Sequence, residues 1–120
     1  SMSDAQLTHL KHQLRQFAEE RDWEQFHSPK NLSMALSAEA AEIVEHFMWL
    51  SEEQSKTLPA EKLIEVEEEL ADTFIYLIRL ADKLDINLLA AADKKIKEND
   101  ISDLTKNLYS KPPGFEEHSF

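Results

Sequence analysis

The chain contains no cysteine, so neither a disulfide framework nor thiolate chemistry is expected. Glycine occurs once, at Gly114, and proline four times, which leaves few turns for an all-β or α/β topology. No apolar run reaches the ~18 residues of a membrane span, and the first residues lack the apolar stretch of a signal peptide. We therefore expect an all-α, soluble protein of the cytoplasm.

Basic residues are also scarce. The chain has 13 lysines and arginines and 24 aspartates and glutamates, which gives a formal net charge of -11. Polymeric nucleic acid needs a concentrated basic surface, so it is not an expected partner. A small phosphorylated ligand stays compatible if metal ions balance its charge. We expect one domain over 1–110 and an irregular tail over 111–120, in a chain small enough to pack with further copies.

Apolar periodicity predicts four helices joined by short connections, which is typical of a helical bundle. The expected spans are about 4–22, 31–50, 61–84 and 85–99, with one more short helix around 104–108. The run Leu70–Leu84 is apolar almost all the way round, as in a buried helix. Three neighbouring helices of this size cannot cover it, so we expect burial against another subunit.

Two pairs of acids lie where a helix normally places apolar side chains: Glu39 with Glu42, and Glu69 with Asp72. The members of each pair are three residues apart, so both carboxylates project from one side of a helical turn. We expect Glu39 and Asp72 to face the core, with no basic residue at a matching step. Four such carboxylates suit hard divalent cations. Two alternatives to a metal site are a solvated acidic face and burial of the acids against polar side chains or water.

Aromatic side chains are the candidates for holding a ligand beside these acids. Trp23, Phe26 and His27 lie close together ahead of a proline. They either plug the end of the bundle or stack on a nucleobase. Trp49 follows Glu42 and Tyr76 follows Asp72 at helical spacing, so both could border a ligand held by the acids. The alternative is that both are ordinary aromatic residues of the core.

A local positive patch lies further along the chain, where three lysines precede Asn99. Lysine suits phosphate groups. Exposed lysines at a helix end are the simpler interpretation, because they complement the helix dipole.

The pattern E-x-x-E on one helix and E-x-x-D on the next resembles the all-α nucleoside triphosphate pyrophosphohydrolases, the MazG-like enzymes. The resemblance is closest to their dCTP pyrophosphatase branch. It extends over FAEERDWEQFHSPKNL, Trp49, EELADTFIYLIRLA, and the lysine and asparagine of KKIKEN at Lys95 and Asn99. After Asn99 the chain departs from the family, because it reads DISD where basic residues and Tyr-Pro are common.

The resemblance implies an all-α subunit that hydrolyses a nucleoside triphosphate to the monophosphate and pyrophosphate. The first-choice substrate is dCTP or a 5-modified relative, and the implied role is nucleotide-pool cleansing. It implies a homo-oligomer, a dimer of dimers. It also implies Mg²⁺, with Mn²⁺ as an alternative, on four catalytic acids: Glu39, Glu42, Glu69 and Asp72. The implied substrate-binding residues are Trp23, Phe26, His27, Asn31, Trp49, Tyr76, Lys95 and Asn99.

Two other classes of protein stay open from the residues alone. A di-iron carboxylate bundle needs an E-x-x-H motif on each of two helices, and only Glu24 to His27 fits it. A non-catalytic helical interaction module would carry the four acids as an exposed surface.

Overall fold

The structure, a computed structural model, describes residues 3–98, and in this range it contains helices and no strand. The elements are α1 (Asp4–Glu20), a 3₁₀ turn (Glu24–Phe26), α2 (Pro29–Phe47), α3 (Glu52–Ser55), α4 (Ala60–Lys83) and α5 (Leu88–Lys97). The predicted all-α fold is confirmed. The helix expected around 104–108, the tail over 111–120 and Asn99 lie outside the described residues.

The chain divides into two compact units, of which one ends at Ile86 and the other begins at Asn87. The first unit contains α1 to α4, and the second contains α5. A single domain over 1–110 stays a prediction. None of the described helices is both long enough and apolar enough to cross a membrane.

Serine caps decide where α2 and α3 begin. The Ser28 side chain accepts a hydrogen bond from the Asn31 amide, and Pro29 takes the first helical position, where its missing N–H costs nothing. Helix α2 therefore starts at a Ser-Pro pair that the sequence analysis assigned to a loop. Ser51 and Gln54 form a capping box that starts the short α3 inside the expected polar connection.

Aspartates in the left-handed region follow α1 and α4. Asp22 and Asp85 both have a φ of 55°, a conformation that aspartate tolerates better than most residues other than glycine. Asp85 was expected to start the next helix. The structure instead begins α5 at Leu88, with the Asn87 side chain accepting from the Ala90 amide as its N-cap.

The core of the first unit lies where α4 packs along α2 and, over a shorter stretch, along α1. Its buried apolar side chains come from these three helices: Ala18, Leu32, Val66, Ile78 and Ala81. The run Leu70–Leu84 was expected to be buried against another subunit, and the single chain leaves part of it exposed. Leu70 is 53% exposed and Leu84 is 50% exposed, because α1 and α2 cover only one side of α4.

Candidate active site

Three of the four predicted metal-ligating acids meet between α2 and α4. One carboxylate oxygen each from Glu39, Glu69 and Asp72 lies within 4.8 Å of the other two. The packing of α2 along α4 brings these helical turns together. Glu39 and Glu69 are half-buried, whereas Asp72 is exposed. The expectation that Asp72 faces the core is therefore wrong, since this residue borders an open pocket.

The fourth acid, Glu42, is exposed on the next turn of α2 and influences its neighbours. Hydrogen bonding with Glu42, then burial and the nearby Glu39, raise the pKa of Glu69 to about 7. Burial, followed by Glu42, raises the pKa of Glu39 above its usual range. Carboxyl groups this close cannot all ionise without cost. Without a cation, the cluster therefore retains a proton at pH values where an isolated glutamate has lost it.

Two carboxylate oxygens of this cluster have no hydrogen-bond partner among residues 3–98. Oε2 of Glu39 and Oε2 of Glu69 are buried, and neither has a hydrogen-bond donor in the described part of the chain. Buried polar atoms are normally paired, because desolvation without compensation is costly. A hard divalent cation prefers a set of carboxylate oxygens. The residues present fit such a cation.

A pocket of about 450 Å³ adjoins the acid cluster. Glu39 and Asp72 lie in its wall, together with Trp23, His27 and Tyr76. Its volume falls within the ~300–1,000 Å³ range of small-molecule sites. The pocket therefore joins an acidic region to an aromatic one.

The aromatic wall is built where α1 meets the 3₁₀ turn. Trp23 packs edge-on against Phe17, with ring centroids 5.4 Å apart, and lies 6.1 Å from the ring of His27. The guanidinium of Arg21 covers the Phe17 ring at 3.3 Å, a cation–π contact. Asn31 donates from Nδ2 to the carbonyl oxygen of Phe26 and so ties the turn to α2.

Three other predicted substrate-binding residues are not in the described lining of this pocket. The described lining of the pocket does not include Phe26, Asn31 or Trp49, and Trp49 is 85% exposed near the end of α2. Lys95 belongs to α5 in the second unit, where it is half-buried. Of the predicted substrate-binding set, the described lining of this pocket thus includes Trp23, His27 and Tyr76.

Sequence analysis also missed an ionic cluster at the pocket. Arg79 is only 3% exposed and lines the pocket. Its Nη2 donates to Glu24 Oε1 at 2.7 Å, its Nη1 lies 3.6 Å from Asp82 Oδ2, and Lys83 also donates to Glu24. The Lys83 hydrogen bond is the largest of the effects that lower the pKa of Glu24.

The signal for Arg79 was present in the sequence. Arg79 interrupts the apolar segment TFIYLIRLA two helical turns after Asp72 and therefore lies on the same side of α4. The expectation that no basic residue occurs at a matching step was wrong. The ion pairs of Arg79 are with Glu24 and Asp82.

Comparisons with known proteins agree with one another. The model of the MazG-like family matches residues 34–108. The dCTP pyrophosphatase 1 of Mus musculus is 41% identical over 86 residues, which cover 70% of this chain and 51% of that protein. The Homo sapiens protein of the same name is 40% identical over 87 residues, with the same coverage. The chain spans about half the length of these curated relatives.

A solved structure extends the likeness to the fold. The crystal structure of a pyrophosphatase from Archaeoglobus fulgidus has a TM-score of 0.75 and 34% identity to this chain. The similarity covers 92% of this chain and 98% of that one.

Proposed function

Because this chain belongs to the MazG-like family, we propose that it hydrolyses a nucleoside triphosphate between the α- and β-phosphates. The first-choice substrate is dCTP or a 5-modified relative, and the products are the monophosphate and pyrophosphate, in nucleotide-pool cleansing. The observation that carries this proposal is the cluster of Glu39, Glu69 and Asp72 at an aromatic pocket. The names of the similar proteins, dCTP pyrophosphatase 1 and a pyrophosphatase, support the substrate and the reaction.

The proposed cation is Mg²⁺, with Mn²⁺ as an alternative, held by Glu39, Glu42, Glu69 and Asp72. When bound, it offsets the charge of the triphosphate and supplies Lewis-acid activation of the phosphate and of water. The buried, unpaired oxygens of Glu39 and Glu69 support this assignment. The acids of the cluster hold and orient the attacking water, whose oxygen bonds to the α-phosphorus while the bond to the pyrophosphate oxygen breaks.

The pocket wall provides the base-binding side of the site. Trp23, His27 and Tyr76 offer ring faces on which a base can stack. Glu39 and Asp72 lie in the same pocket, so the reacting phosphates would lie at that side. A packed aromatic pocket leaves little room for a 2′-hydroxyl, and CTP should therefore be the poorer substrate.

A homo-oligomer, arranged as a dimer of dimers, would complete this site. Apolar side chains at the end of α2 and on α4 are exposed in the single chain, among them Met48, Leu63, Ile64 and Leu70. Exposed large apolar side chains of this kind support an interface with a second copy. Trp49, outside the pocket lining of its own chain, would contact substrate bound to a second copy. The cytoplasmic location stays a prediction from the sequence.

The two other classes of protein are less well supported. An interaction module with an acidic surface does not account for two buried carboxylate oxygens without donors. A di-iron site would use Glu24 and His27, yet Arg79 and Lys83 both donate to Glu24, and Arg79 contacts the Nδ1 atom of His27. These contacts occupy the groups that iron would need.

A panel of dNTPs and NTPs, assayed with Mg²⁺ and with a chelator, tests the proposal. We expect cation-dependent release of pyrophosphate, fastest from dCTP, with no orthophosphate. Orthophosphate as the direct product, or turnover that persists with the chelator, would contradict the proposed reaction. Faster cleavage of dATP or dGTP would overturn the base assignment alone.

A further inference from the structure

A buried arginine beside the aromatic wall has a role that ion pairing alone does not explain. The Nη2 atom of Arg79 reaches both Glu24 Oε1, at 2.7 Å, and His27 Nδ1, at 3.3 Å. This nitrogen carries two N–H bonds, so it can serve both acceptors. Arg79 Nε is buried and has no partner among residues 3–98. The terminal nitrogens therefore set the orientation of the guanidinium.

The contact with Arg79 decides which nitrogen of His27 carries the proton. A guanidinium only donates hydrogen bonds, because it has no acceptor atom and does not lose its proton in proteins. Nδ1 of His27 must therefore accept, and the proton of the neutral imidazole lies on Nε2. Burial and then the charge of Arg79 lower the pKa of His27, with Glu24 acting in the opposite direction. These effects favour the neutral ring.

Several contacts hold Arg79 in the position that this tautomer requires. Glu24 accepts from Arg79 and from Lys83, which fixes its carboxylate between two cations. Asp82, 3.6 Å from Arg79 Nη1, is held in turn by two hydrogen bonds from Arg15. The turn that carries Glu24 and His27 is thus attached to α4 by charged groups.

We propose that Arg79 is a positioning residue that holds His27 as the Nε2–H tautomer, so that the pocket offers an N–H donor to a carbonyl oxygen of the bound base. The substrate part of this inference rests on the proposed function. Pyrimidines carry a carbonyl at position 2, whereas adenine carries none. With the proton on Nδ1, the Nε2 lone pair would face that oxygen, and the hydrogen bond would be lost. Arg79 therefore contributes to base selection through His27.

The first test measures the tautomer without any substrate. Side-chain ¹⁵N chemical shifts, recorded at mildly alkaline pH, distinguish Nε2–H from Nδ1–H imidazole. We expect His27 to be Nε2–H in the wild-type protein and in Arg79→Lys, which keeps a cationic donor. Arg79→Met should give a mixture or the Nδ1–H form. A wild-type His27 with its proton on Nδ1, or an unchanged tautomer in Arg79→Met, would overturn the inference.

The second test separates positioning from general structure. With dCTP, Arg79→Met should raise KM by about tenfold or more, the range for one lost hydrogen bond to a buried group, and should lower kcat less. Its preference for dCTP over dATP should fall. Arg79→Lys should keep part of the low KM for dCTP and part of the preference for dCTP over dATP. When Arg79→Met is added to His27→Gln, KM should change little further, because the effects of residues that act as a unit are not additive.

Arg15→Gln is the matched control. It removes the other arginine on Asp82, but Arg15 is not part of the pocket lining described here and reaches Arg79 only through Asp82, so its effects on tautomer and KM should be much smaller than those of Arg79→Met. Additive KM effects of Arg79→Met and His27→Gln, or an Arg15→Gln effect as large as that of Arg79→Met, would contradict the inference. If wild-type protein does not cleave dCTP, the proposed function is wrong, and the tautomer still decides the role of Arg79.

Discussion

The stability of the cation-free protein should depend on pH through Glu69, and Glu69→Gln isolates this dependence. The folded cluster raises the pKa of Glu69 from 4.5 to about 7. A raised pKa means that the folded state binds a proton more tightly than the unfolded chain. The stability gained from this group is therefore fully present below pH 4.5 and is lost as the pH rises through about 7.

The size of this pH dependence is set by the number of protons that the protein releases on unfolding. Halfway between the two pKa values, the folded carboxyl is protonated in about 0.95 of molecules and the unfolded carboxyl in about 0.05. Unfolding should therefore release about 0.9 proton more from the wild-type protein than from Glu69→Gln, which has no proton to lose at this position. Because Glu39 and Glu42 act on the titration of Glu69, this number belongs to the cluster.

Urea unfolding in the presence of a chelator, across mildly acidic to mildly alkaline pH, provides the assay. The free energy of unfolding of the wild type, minus that of Glu69→Gln, should fall steadily as the pH rises from 4.5 to about 7. Titrating groups outside the cluster are common to both proteins and cancel in the difference. Glu67→Gln, an exposed acid on α4, is the control and should give a flat difference.

A wild-type minus Glu69→Gln difference that is flat or rises with pH would refute this account of the cluster. Added Mg²⁺ should stabilise the wild type above pH 7 more than at pH 5, because a cation replaces the proton that the carboxyls otherwise share. Its effect on Glu69→Gln should be smaller at both pH values.

The remaining predictions concern turnover, substrate binding, assembly and the core. Asp72→Asn should lower turnover by orders of magnitude without loss of helical circular dichroism, while Glu67→Gln keeps a near-normal rate. Trp49→Ala should raise KM more than it lowers kcat, and equal effects on both would contradict base binding. Light scattering at micromolar concentration should show an oligomer, and a monomer would contradict the proposed interface. Leu32→Ala, at a fully buried site, should lower the free energy of unfolding by ~2–5 kcal/mol in urea, and a smaller loss would mean that the core adapts.

The meeting of the acids could be predicted because spacing alone fixes most of it. Three-residue spacing places Glu39 and Glu42 on one side of α2, and Glu69 and Asp72 on one side of α4. Two long neighbouring helices then need only to pack side by side for the pairs to meet. The burial of the individual acids was predicted less well than their meeting. Whether Asp72 faces a neighbour or a pocket depends on the rotation of α4, which local sequence does not determine.

Contacts between residues distant in the chain could not be predicted. Arg79 lies 55 residues after its partner Glu24, and no local pattern links the two. The short helix α3 depends on one capping box, Ser51 with Gln54, in a segment without apolar periodicity. The proposed contact of Trp49 with substrate requires a second copy, about which the sequence of one chain says little.

The attachment of α1 has a consequence for motion. This helix supplies Phe17 to the pocket wall, yet it packs along only a short stretch of α4 and is held there in part by the pair of Arg15 with Asp82. Arg15 remains 46% exposed, so dissolved salt screens the pair. We therefore expect partial release of α1 to require less free energy than global unfolding. Its amide protons should exchange with solvent faster as ionic strength rises, and ligand could enter the aromatic side of the pocket by that route.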